Sequence, residues 1–216
     1  MNLQKEPLAP WRSLLSKALH RNRSQPFVRY FQLATVKPDG TPANRTVVFR
    51  GFLNDTNHLQ VISDRRSQKT EQIRQNSSAE VCWYFTKTRE QFRLSGSLML
   101  VTADTDDPQL QQARTQVWQN ISDNARVQFA WPHPKDARDP DAAFNPPPPD
   151  EKTPLDTFCL LLLSPLRVDY LSLRGEPQTR KIYRHNQNQH DQTQAKQNGS
   201  AESAEPSAWQ ITEVNP

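Results

Sequence analysis

Three consecutive stretches decide the fold: Phe31-Gln-Leu-Ala-Thr-Val36, Lys37-Pro-Asp-Gly-Thr-Pro42 and Asn44-Arg-Thr-Val-Val-Phe-Arg-Gly-Phe52. The outer two are rich in β-branched and aromatic residues, and the middle one is a turn with a mechanism. Proline presets φ, aspartate caps the turn with its carboxylate, and glycine accepts positive φ. Together they read as a β-hairpin. Outward from it, His58 to Ser63, Ala79 to Phe85 and Gln91 to Val101 read as further strands. Strands at this density, joined by short polar links, predict a mainly β fold: an antiparallel β-barrel with flanking helices.

The flanks supply the helices. Trp11, Leu14, Leu15, Ala18 and Leu19 recur at helical spacing behind Pro10, so this segment packs on the core. Ser67 to Asn76 is a short surface helix opened by a serine cap, with Ile73 its only large apolar residue. Pro108 to Ile121 is a third helix and Asp123 to Ala130 a shorter fourth. A proline-rich insert over about 131–154 loses donors and fixes φ, so it is an arm or surface loop. Thr157 to Leu173 returns to strand, continuously apolar to Leu163 and alternating after Pro165. The Gln/Asn-rich segment over about 185–207 lacks hydrophobic pattern and reads as disordered or as a long hairpin loop, before a last strand at Trp209 to Val214.

The chain of 216 residues fits a single domain. Its 18 prolines against 5 glycines leave little from which to build a glycine-rich phosphate loop, which excludes Walker-type and Rossmann readings. A net charge of +4, with basic residues in short clusters, suits local anion sites and not a nucleic-acid surface. The longest apolar run, Phe158 to Leu163, is far short of the roughly 20 residues of a membrane span, and the first residues lack a signal-peptide layout. The expectation is a soluble, cytoplasmic protein with no membrane partner. Cys82 and Cys159 sit in apolar stretches without paired spacing, so they read as buried reduced thiols and no metal site is expected. Trp118 and Trp131 pack either the core or an interface.

The chemistry concentrates on the central strands. Arg45 and Arg50 flank Thr46-Val-Val-Phe49; five apart on a strand, they point to opposite faces unless a bulge intervenes. Ser63-Asp-Arg-Arg-Ser-Gln-Lys69 then joins a strand to a helix. It gathers hydroxyls, cations and free amide N–H groups at one helix N-terminus, an anion site by its physics, although a capped helix with solvated basic residues has the same string. No Ser-His-Asp order and no spaced carboxylate pair stands out.

These residues resemble a known family. Arg45-Thr-Val-Val-Phe-Arg50-Gly-Phe, Ile62-Ser63-Asp-Arg-Arg-Ser67-Gln-Lys69, Trp83-Tyr-Phe85 and Gln91-Phe-Arg-Leu-Ser-Gly96 look like the FMN-binding core of the pyridoxamine 5′-phosphate oxidase family. Trp131 to Pro134 and the Val-Asn-Pro ending resemble its cyanobacterial and plant-type relatives. The resemblance implies an FMN-binding split barrel acting as a homodimer on a B6 vitamer phosphate. It implies that Arg45, Ser67, Gln68 and Lys69 lie at the FMN phosphate, and that Thr46, Val47, Val48, Ile62 and Ser63 line the ring and ribityl chain. Gln91 and Arg180 would reach the flavin, and Arg50 and Arg126 the substrate.

Departures from the family pattern fall mostly on the substrate side. Arg50 stands where the oxidases carry a lysine, and Gln68 where a phosphate-binding arginine is expected, which Arg65 or Arg66 would have to replace. Leu171 occupies the place of a flavin-covering tryptophan, and only Ser122 and Arg126 match the substrate-phosphate grip. Two functions follow: an FMN-dependent oxidoreductase, or a non-catalytic protein that binds or senses FMN or another planar cofactor such as haem.

Overall fold

Proline at the first turn of helix α1 (Pro10–Arg21) costs no hydrogen bond there, and the helix buries Trp11, Leu15 and Ala18 on one stripe. The computed structural model describes residues 7–139, 141, 144–186 and 208–216. The strands are β1 (Tyr30–Val36), β2 (Pro42–Phe52), β3 (Leu59–Asp64), β4 (Ser78–Phe85), β5 (Glu90–Val101), β6 (Phe158–Ser172), β7 (Thr179–His185) and β8 (Trp209–Val214). They pair in the order β3-β2-β1-β4-β5-β6-β7-β8, and β3 also pairs with β6. That last pairing closes β1 to β6 into an antiparallel barrel, with β7 and β8 running off one side.

Strand β6 serves both parts. Its first half bonds to β3 and the end of β5, and its second half to β7 and the start of β5. The ladder slips at Ser95/Gly96 where β6 passes Pro165. A Cβ on Gly96 would stand 1.9 Å from the Ser164 carbonyl oxygen, so only glycine allows the two backbones to approach.

Two cores explain the unbroken apolar run of β6. Cys159, Leu161 and Leu163 face the barrel interior with Phe31, Trp83 and Phe92, while α1 plugs one end through Trp11 against Trp209. Phe158, Leu160 and Leu162 face outward beneath helices α3 (Pro108–Gln119) and α4 (Asp123–Val127), against Leu110, Trp118 and Phe129. A strand covered on both faces shows no polar alternation. Each fully buried large side chain contributes roughly 1.5–3 kcal/mol of transfer free energy.

Some expectations change. Residues 179–185 form β7, a strand not anticipated in a stretch heavy in Arg and Lys, and it runs through His185, whose ring meets Trp209. The rest of the Gln/Asn-rich segment, 187–207, lies outside the described residues. Cys159 is buried, but Cys82 is only half-buried on the outer face of β4. Trp118 is core, while Trp131 stacks edge-on against Phe144 of the proline-rich arm. No helix among the described residues is long and apolar enough to cross a membrane.

Candidate functional site

The end of β3 and the helix after it make the densest polar site. Asp64 holds the connecting turn by accepting from Arg66 N at 2.8 Å and from its guanidinium at 2.6 Å and 3.0 Å. Thr70 Oγ1 donates to the Arg65 carbonyl at 2.6 Å, and Arg65 N donates to Thr157 O at 2.7 Å. Helix α2 (Gln68–Gln75) then begins with Ser67 at its cap position, but the Ser67 hydroxyl makes no capping bond. Instead it accepts from Lys69 Nζ at 3.0 Å, and Ser63 Oγ accepts from the same ammonium at 2.9 Å. The helix opens, as expected, at a serine, whose hydroxyl is turned away from the first-turn amides.

Arg45 reaches this site from β2. Its guanidinium donates to Thr35 Oγ1 at 2.6 Å, to Leu33 O at 3.1 Å and to Gln72 Oε1 at 3.1 Å, all neutral acceptors. Burial pushes the Lys69 pKa down, and the neighbouring Arg45 pushes it further; burial also lowers that of Arg45. The acid that favours the Lys69 ammonium is Asp64, and Asp64 is already forked by Arg66. Two cations, two hydroxyls and a helix N-terminus thus converge without an acid of their own. That donor set fits a phosphate dianion.

The other residues expected to line the flavin are on β2 and β3. Val47 packs on the barrel core and Ile62 on the outer core, Val48 is half-buried, and Thr46 is exposed opposite Gln32. Ser63 is buried.

Arg50 leaves the strand by a bulge. Phe49 pairs with Val61 and Gly51 with Gln60, so Arg50 is the extra residue, and Gly51 takes φ +127° to make the step. Its side chain lines a cavity of about 300 Å³ with Arg29, Gln60, Gln116 and Asn120, and no carboxylate lines it. Arg50 Nε is buried without a partner, and burial, then the proximity of Arg29, lowers the Arg50 pKa. Arg29 gave no signal in the sequence, because it lies outside any periodic segment. Gln116 and Asn120 did leave one: they are polar residues four apart, on the last turn of α3 and at its C-cap, each followed by an apolar residue, Val117 and Ile121.

Other candidates have different tasks. Arg126, expected at the substrate, donates from its guanidinium to the carbonyls of Trp118 at 3.2 Å and Ile121 at 2.8 Å, and pairs with Asp123 at 2.5 Å. These bonds fasten it to the C-terminal end of α3, and it is buried there. Arg65 pairs with Asp104 and Arg66 with Asp64. Ser122 precedes α4 without a capping bond. Gln91, Leu171 and Arg180 are directly opposite one another across β5, β6 and β7, flanked by Tyr84 and Val214 in the same outward row. Arg180 grips Asp169 at 2.8 Å and 3.0 Å.

Comparison with known proteins shows the family and the fold. The model for the pyridoxamine 5′-phosphate oxidase FMN-binding domain matches residues 8–102. A pyridoxine/pyridoxamine 5′-phosphate oxidase 2 from Arabidopsis thaliana is 37% identical over 168 residues, covering 77% of this chain and 85% of that protein. The crystal structure of a pyridoxamine 5′-phosphate oxidase-related, FMN-binding protein from Nostoc punctiforme superposes with a TM-score of 0.84 at 49% identity, covering 100% of both chains. PhzG from Burkholderia lata shares the fold at 16% identity, with a TM-score of 0.71 over 100% of this chain and 95% of its own.

Proposed function

The chain belongs to the pyridoxamine 5′-phosphate oxidase FMN-binding family, and from that premise we propose that it binds FMN and oxidises a B6 vitamer phosphate. The observation that carries the reading is the Lys69 ammonium held between Ser63 and Ser67 with Arg45 alongside, a cationic site with no acid of its own. There the FMN phosphate would accept from Lys69, Arg45 and the amides opening α2. Bound FMN supplies the two-electron redox centre. The chain's own part is to hold that phosphate, to present apolar residues such as Val48 to the ring, and to collect a second anion at Arg50. The Arg29–Arg50 cavity supports a phosphate-bearing substrate, since two guanidiniums without a carboxylate favour one there. The outward row through Gln91 and Arg180, flanked by exposed Tyr84 and Val214, supports a homodimer that covers it.

The test is the visible absorption spectrum before and after adding FMN, then after adding pyridoxamine 5′-phosphate without oxygen. Bound flavin at about one per chain that bleaches with the vitamer and recovers in air supports the whole reading. A colourless protein that ignores FMN overturns it. Flavin that binds and never bleaches leaves a second reading, a non-catalytic FMN binder, which the use of Arg126 as a helix fastener favours.

A further inference from the structure

The proline-rich arm touches the phosphate site at one residue. Lys135 Nζ donates to Gln68 Oε1, on the first residue of α2. The arm is rooted beside that helix, because the Arg66 guanidinium, fixed by Asp64, donates to Trp131 O at 3.1 Å and Phe129 O at 3.5 Å. Trp131 packs on Phe144, and Arg138 lies 4.5 Å over the Phe144 ring, which braces the loop that follows. Lys135 itself has φ +72°, a left-handed conformation uncommon for a residue with a side chain, and it is exposed.

We propose that Lys135 is a phosphate-binding residue, delivered from the arm to the place where the family pattern puts an arginine and this chain has Gln68. Resting on the FMN reading above, the inference completes that site from a segment 67 residues away in sequence. The glutamine cannot carry charge, but its carbonyl oxygen holds the lysine ammonium at the helix N-terminus, where an incoming phosphate would take it over. Lys135 is near enough to Lys69 to disfavour its ammonium, an arrangement that a shared anion relieves. Arg65 and Arg66 are held by Asp104 and Asp64, whereas Lys135, like Lys69 and Arg45, is in no ion pair among the described residues.

The test is a titration of the full, flavin-free chain with FMN and with riboflavin, which shares the ring and lacks the phosphate, followed by flavin fluorescence. Lys135→Met should weaken FMN roughly three- to tenfold and leave riboflavin unchanged. It should also flatten the salt dependence of FMN binding. Adding Gln68→Arg to Lys135→Met should restore most of the loss, because the charge returns by the other route. FMN affinity unchanged in Lys135→Met overturns the proposal. An equal loss for both flavins also overturns it, since the arm would then be shaping the ring pocket and not meeting phosphate. If the unaltered protein binds neither flavin, the FMN reading itself has failed.

Discussion

The outward face of β5 to β7 and the site at the head of α2 are both crowded with charge, yet they are wired in opposite ways. On the outer face Arg180 forks buried Asp169, and Arg93 pairs with Glu80 at 2.7 Å. At the head of α2, Arg45 and Lys69 bond only to carbonyls, amides and hydroxyls. A half-buried cation with an acid in its grip is already neutralised and holds strands together. One surrounded by neutral acceptors keeps its demand for an anion, and a ligand must supply it.

The largest effect should come from emptying the second region. Arg45→Ala with Lys69→Ala removes two charge-assisted contacts and should lower FMN affinity by roughly 100-fold or more, read by fluorescence titration. The barrel should still fold, with some loss of stability because Thr35 and Gln72, which stay bonded to each other, lose the Arg45 donor. FMN stoichiometry and affinity like the parent's would break the comparison.

Arg126 belongs with the paired kind. Arg126→Ala removes the guanidinium donor from the Trp118 and Ile121 carbonyls at the end of α3 and should cost about 2 kcal/mol in denaturant unfolding, with FMN affinity unchanged. A protein of parental stability that has lost substrate binding would return Arg126 to the substrate site. Arg50, whose cavity is lined by no carboxylate, belongs with the unpaired kind. Arg50→Ala should lower kcat/KM for pyridoxamine 5′-phosphate about tenfold at constant flavin content. A variant that loses flavin and keeps its kcat/KM per bound flavin would move Arg50 into the cofactor site.

This division also marks what the sequence could show. The hairpin at Pro38-Asp-Gly40, the two-sided apolar run of β6 and the cluster from Ser63 to Lys69 are local signals, written in neighbouring residues, and the strand and helix positions follow them. Whether a cation is already paired depends on contacts between distant segments. Arg180 meets Asp169 across a strand pair, Arg126 meets the end of the preceding helix, and Lys135 meets Gln68 from an irregular loop. Strand β7 escaped for a related reason: its outer residues Arg180 and Arg184 are polar, and what makes it a strand is the ladder to β6 and β8. The bulge that redirects Arg50 rests on Gly51, a residue type whose role depends on its φ.

The smallest effect separates the two regions by pH. Asp169 has its pKa held low by the hydrogen bonds and charge of Arg180, so its carboxylate stabilises the fold above the ordinary aspartate value near 3.9. That contribution is lost only as pH falls through the lowered value, on the acid side. Lys69 also has a lowered pKa, but a lowered lysine works the other way: below it, the unliganded protein bears the full cost of the buried ammonium, and rising pH relieves it. FMN needs that ammonium. Its affinity should therefore plateau above the second phosphate pKa, near 6, and begin to fall at a pH below the ordinary lysine value of about 10.4. The measurement is FMN affinity against pH for the parent and for Lys69→Arg, whose guanidinium stays charged. The variant should hold its affinity several-fold further into alkali, and a decline shared equally by both would place the titrating group elsewhere than Lys69.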